Sequence, residues 1–137
     1  MLSPTAATWR LTLHVLAAAI WVGGQFVLGA LVPTLRRVAP EATKVAARTF
    51  GRLAWPAFAV LVITGIWNLT EVNFADRSTA YQVTLFVKLV LVALSGVAAA
   101  IHQLGTSRAA LAIGGAFAAI GSLSAMFFGI LLLTGAS

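Results

Sequence analysis

The sequence predicts an all-α fold, an integral membrane bundle of four transmembrane helices. Two observations carry that expectation. Of 137 residues, 61% are hydrophobic and only 9% are charged, whereas a water-facing domain carries about 25% charged residues. The apolar residues also fall into four runs, each near the roughly 20 residues that a helix needs to cross hydrocarbon. A single membrane domain, 1–137, accommodates helices at about 9–32, 53–70, 80–104 and 109–134, with a basic loop at 33–52.

The apolar run of the first span, Leu11 to Val32, carries no formal charge with His14 neutral, and Pro33 is expected to stop it. Its apolar run exceeds the ~7–15-residue core of a signal peptide, and no small-residue cleavage pattern follows cleanly, so it reads as a mature helix. The second span opens near Leu53, with Pro56 close to its start, where a missing N–H costs least. The third is uncharged except for Lys88, and the fourth holds no ionisable residue. Between the second and third spans lies a polar connection containing Asn73, Asp76, Arg77 and Ser78, and residues 105–108 make a tight turn.

The formal net charge of +6 suggests nucleic acid until the charges are located. Arg36, Arg37, Lys44, Arg48, Arg52 and Arg108 all fall in the first and third connections, and the other face holds Arg10 and Arg77. Lys and Arg accumulate on cytoplasmic loops. The pattern therefore implies a multi-pass protein of the cell inner (plasma) membrane with both termini outside the cytoplasm. No aromatic–basic interleaving or nucleic-acid module accompanies the charge, so no nucleic-acid partner is expected. The lipid bilayer is the expected environment.

The absence of cysteine excludes disulfides, thiolate metal sites and cysteine nucleophiles. Chemistry must then come from the intramembrane ionisable groups, which are costly in hydrocarbon and functional candidates for that reason. These are His14, Lys88 and His102. His14, Ala18, Trp21, Gln25 and Leu28 recur at steps of four and three, which places them on one helical stripe. Thr84, Lys88, Ser95 and His102 form a second stripe, and Thr64, Asn68 and Glu71 a third. Depth separates the two histidines by roughly 20–25 Å along the membrane normal, at ~1.5 Å per residue. His14, Lys88 and the Trp67–Asn68–Glu71 end of the second helix are expected at the outer level, and His102 near the cytoplasmic edge.

Each candidate has a plainer alternative. His14 and His102 suit metal ligation, since neutral imidazole is the commonest metal-binding side chain; either is otherwise a helix-end histidine bonded to a neighbour. Lys88 suits an anionic group or a proton relay, and otherwise snorkels outward. Met126 suits packing more than soft ligation. Small residues along the last two helices, among them Gly96, Gly114, Gly115, Gly121 and Ser122, mark close helix contact within one bundle or in a homo-oligomer.

The string Leu-His-Val-Leu-Ala-Ala-Ala-Ile-Trp-Val-Gly-Gly at 13–24 resembles the opening of the copper-resistance D (CopD-type) membrane domain. So do Thr-Gly-Ile-Trp-Asn at 64–68, Leu-Phe-Val-Lys-Leu-Val-Leu-Val at 85–92 and Ala-Ile-His-Gln at 100–103. The same ordered set is similar to HemJ-type proteins, small four-helix membrane proteins associated with haem b and protoporphyrinogen oxidation. That resemblance implies a haem b protein for electron transfer or oxidation of a small substrate, a haem-dependent oxidoreductase working with a quinone or another redox partner. His14 would ligate iron, and Lys88 would serve as catalytic group or meet a propionate. Trp21, Trp67 and Asn68 would line the cofactor. The CopD side implies copper transport or resistance instead, with His14 and His102 as metal ligands. A cofactor-free structural subunit whose basic segment docks a partner or anionic lipid is the third reading.

The orientation is tested by a cysteine introduced as Lys44→Cys. It is expected to react with a membrane-impermeant maleimide only after the cell is opened. Labelling on intact cells would reverse the orientation.

Overall fold

A computed structural model describes residues 1–135 apart from the Arg108 side chain, so the expected place of that charge lies outside the described residues. Among the described residues there is no strand, and four helices are long and apolar enough to cross a membrane. They are α1, Ala6–Val38; α2, Pro40–Thr70; α3, Thr79–Leu104; and α4, Arg108–Thr134. The contacts divide the chain into two compact units, Met1–Val72 and Asn73–Ser137. Each is an antiparallel helical hairpin and is described by itself.

In the first hairpin, α1 starts three residues before its expected position because Thr5 caps it. The Thr5 side chain accepts from the Thr8 N–H while Thr8 Oγ1 accepts from the Thr5 N–H, a reciprocal cap that satisfies two donors. A π-helical turn, Ala19–Gly23, interrupts the helix around Trp21 and Val22, both buried.

The expected stop at Pro33 does not occur, and α1 runs through it to Val38. By Pro33 the helix has already risen about 40 Å, beyond the ~30 Å of hydrocarbon. The carbonyl of Gly29, which loses its partner to the proline ring, can therefore reach water or headgroups.

Residues 33–52, expected as a basic loop, are helical except at Ala39 (φ −154°, ψ 75°). One extended residue turns the chain, and Pro40 follows in the first turn of α2, where its missing N–H belongs to a group unpaired anyway. Pro56 consequently lies deep inside α2 rather than near its start. The carbonyl it deprives belongs to Arg52, at the charged end of the segment.

The second hairpin begins with a 3₁₀ turn, Phe74–Asp76. Gln82 Nε2 donates to the carbonyls of Phe74 and Arg77, and the Arg77 guanidinium lies 5.1 Å from the Tyr81 ring centroid. Ser78 then caps α3 and Ser107 caps α4, each accepting from the N–H three residues on. The polar connection and the tight turn thus stand where the sequence placed them.

Small residues bring α3 and α4 together. A Cβ placed on Gly114 would meet the His102 N at 2.8 Å and the Ala98 carbonyl at 2.9 Å, and one on Gly121 would meet Ser95 at 3.4 Å. Ser95, only 1% exposed, donates to the Ala118 carbonyl across the interface at 3.1 Å. Without water to expel between them, helices in lipid gain from such close packing and from polar contacts of this kind.

Two glycines separate packing from propensity. Gly29→Ala meets nothing within 4 Å and is expected to leave thermal stability in detergent unchanged or raised by up to ~1 kcal/mol. Gly114→Ala is expected to cost about 1–3 kcal/mol through overpacking against backbone. Equal stabilities for the two variants would contradict the close approach of α3 and α4.

Candidate functional site

The α1 stripe anticipated from its spacing is the face that meets α2, and it carries a ladder of polar contacts. At the rung nearest the start of α1, Arg10 Nε donates to Asn68 Oδ1 at 2.7 Å, and its guanidinium stands 3.4 Å from Glu71 Oε1. Trp67 lies beneath the same guanidinium at 5.7 Å. The Arg10 side chain is 11% exposed while that of Glu71 is 52% exposed, so the pair joins a sheltered cation to an accessible carboxylate.

One turn further along, His14 Nδ1 lies 2.8 Å from Thr64 Oγ1. The Thr64 hydroxyl also lies 2.7 Å from the carbonyl of Val60, four residues back in its own helix. A hydroxyl has one proton. Thr64 gives it to Val60, so its lone pair receives the Nδ1–H of His14. That arrangement favours a proton on Nδ1. Gly65 lies against the ring, where a Cβ would stand at an ordinary contact distance of 3.5 Å from His14 Cε1.

Beyond His14 the face turns aromatic. Buried Trp21 meets Trp55 edge-on with centroids 5.6 Å apart and Phe58 at 4.4 Å. Gln25 Nε2 donates to the Trp21 carbonyl at 2.9 Å.

In the second hairpin Lys88, Ser95 and His102 of the expected stripe meet α4, while the Thr84 hydroxyl donates to the Ala80 carbonyl of its own helix. Lys88 lays its stem across Gly129, where a Cβ would stand 3.3 Å from Nζ. His102 Nδ1 lies 2.5 Å from the Leu111 carbonyl. A carbonyl only accepts, so Nδ1 is the donor here. Gly115 opens the way, because a Cβ on it would approach the imidazole to 3.0 Å. Lys88 and His102 share one face but lie two heptads apart, about 21 Å along the helix, and do not meet.

The structure therefore brings Trp67 and Asn68 together around Arg10, and sets His14 on Thr64. Trp21 is engaged by protein aromatics. Glu71, a conceivable partner for Lys88, is paired with Arg10. Arg10 itself was counted only as a topology charge, although its place four residues before His14 puts it on the same stripe. Among the described residues no three His, Cys, Asp or Glu side chains gather as a preformed metal cage.

A family model described as "Copper resistance protein D" matches residues 44–137. The match takes in Thr64, Trp67, Asn68, Lys88 and His102, and His14 precedes it. No curated protein and no solved structure matches the chain.

Thr64 is the test of the imidazole assignment. Imidazole ¹⁵N shifts are expected to show protonated Nδ1 and unprotonated Nε2 at His14. Thr64→Ser should preserve that state, whereas Thr64→Val, which strands the N–H, should perturb it and cost about 1–3 kcal/mol. Unchanged shifts and stability in Thr64→Val would remove Thr64 as the determinant.

Proposed function

This chain belongs to the copper resistance protein D family, and from that premise we propose that it handles copper within the membrane, with His14 and His102 as successive imidazole ligands. One observation carries the reading. Each histidine sets Nδ1 within hydrogen-bond reach of an oxygen of the opposite helix in its own hairpin, the arrangement by which an outer partner orients an imidazole and raises its basicity towards a metal. Copper accepts imidazole nitrogen readily.

The donor set speaks for passage rather than storage. With no cysteine, with Met1 and Met126 as the methionines, and with no cage of three ligands among the described residues, each station offers copper few bonds. A single imidazole holds the ion loosely enough to release it. Glu71 is exposed at the same end of the first hairpin as His14 and is paired with Arg10. Its ion pair with Arg10 balances the positive charge beside the imidazole. In the proposed inner-membrane orientation this end of the first hairpin faces away from the cytoplasm.

A second reading draws on a specific observation. Arg10, on the same stripe as His14, places a guanidinium where a haem b propionate would meet it while His14 ligates iron. Haem would supply redox chemistry of its own; the residues here would hold and orient it. Trp21 fits that reading poorly, since Trp55 and Phe58 lie against its ring.

Purified protein in detergent, titrated with copper at equilibrium, distinguishes the two. Wild type is expected to bind copper reversibly, and the His14→Ala/His102→Ala double variant to bind it at least about tenfold more weakly, the lower end of what losing a metal's supporting interactions costs. Copper affinity untouched by the double variant would overturn the proposal. A Soret band in the sample as purified, lost in His14→Ala, would install the haem reading.

A further inference from the structure

The length of the first hairpin leaves its charged end outside hydrocarbon. α1 has 33 residues and α2 has 31, which is about 50 and 46 Å of helix against ~30 Å of hydrocarbon. The surplus lies at the Ala39 joint, where Arg36, Arg37, Lys44, Arg48 and Arg52 are all exposed. Glu41 is the one acid in 33–52. These cations stand on continuous helix to either side of a single extended residue, so their spacing is held. Lys44, Arg48 and Arg52 recur every four residues and form one stripe.

The other face of the same segment is apolar and open. Leu35 of α1 and Val45, Ala46, Thr49, Phe50 and Leu53 of α2 line a depression of about 650 Å³. Its walls adjoin the cations in sequence: Leu35 precedes Arg36, Thr49 follows Arg48, and Leu53 follows Arg52. An apolar hollow at headgroup level is poorly matched to water, and the charge around it is poorly matched to a zwitterionic surface.

We infer that this joint binds an anionic phospholipid of the surrounding bilayer. The phosphodiester lies on the Lys44–Arg48–Arg52 stripe with Arg36 and Arg37 beside it, and the upper part of one acyl chain lies in the depression. Each cation near an anionic headgroup adds about fivefold to affinity at moderate salt. Screening weakens the contribution as salt rises.

The test uses the full chain, delipidated in detergent and titrated with phosphatidylglycerol or phosphatidylcholine of identical acyl chains, with bound lipid counted by native mass spectrometry. Phosphatidylglycerol is expected to bind at least about tenfold tighter. The Lys44→Gln/Arg48→Gln/Arg52→Gln variant should lose that preference, and Arg48→Lys/Arg52→Lys should keep it. Ala46→Trp fills the depression with every charge intact, and is expected to weaken both lipids while leaving their ratio. It also keeps the inference testable should the triple variant fail to fold. Equal affinity for the two lipids, or a preference that survives the triple variant, would overturn the inference. So would glycerol phosphate competing as well as intact phosphatidylglycerol, since the site would then be one for a free phosphate.

Discussion

A polar atom inside hydrocarbon has no water to bond, and that constraint organises both hairpins. Backbone groups are satisfied within each helix, so what remains to hold one helix to another is close packing and a few side-chain hydrogen bonds. In the second hairpin Gly114, Gly115 and Gly121 bring the backbones near enough for Ser95 and His102 to reach carbonyls of α4. In the first, Thr64 returns its own proton to Val60 and uses its lone pair for His14. The contacts that satisfy these polar atoms also orient the two imidazoles. Packing and the proposed metal chemistry would thus rest on common atoms.

Periodicity made the spans and their inward stripes readable. A helix repeats every 3.6 residues, and His14, Trp21 and Gln25 on α1, or Lys88, Ser95 and His102 on α3, fall on the faces that meet the neighbouring helix. The boundaries near proline were not readable in the same way. Pro33 and Pro56 usually end or open helices in water, but here α1 and α2 continue through them and join at Ala39. The run of charge between them suggested a loop because solvated cations and loops go together, yet a rigid helix also presents cations at headgroup level.

The partners of the site residues were legible in uneven measure. Thr64 and Asn68 stood out as polar residues at helical spacing, and both are contacts of α1. Arg10 did not, because its charge already had an explanation as a topology signal. The acceptor for His102 is the backbone carbonyl of Leu111, which has no signature in sequence. Only Gly115, a residue that reads as packing, hinted that something close crosses the interface there.

Family membership directs attention to copper, and the hairpin geometry narrows how this chain would meet it. Two separately oriented imidazoles, neither within a cage of three ligands, suit an ion that is handed on. X-ray absorption at the copper edge on the loaded wild-type protein tests that claim most directly. Imidazole outer-shell scattering with low coordination number is expected, lost when both His14 and His102 are replaced by Ala. Copper bound through oxygen or sulfur alone, with no imidazole signature, would contradict it.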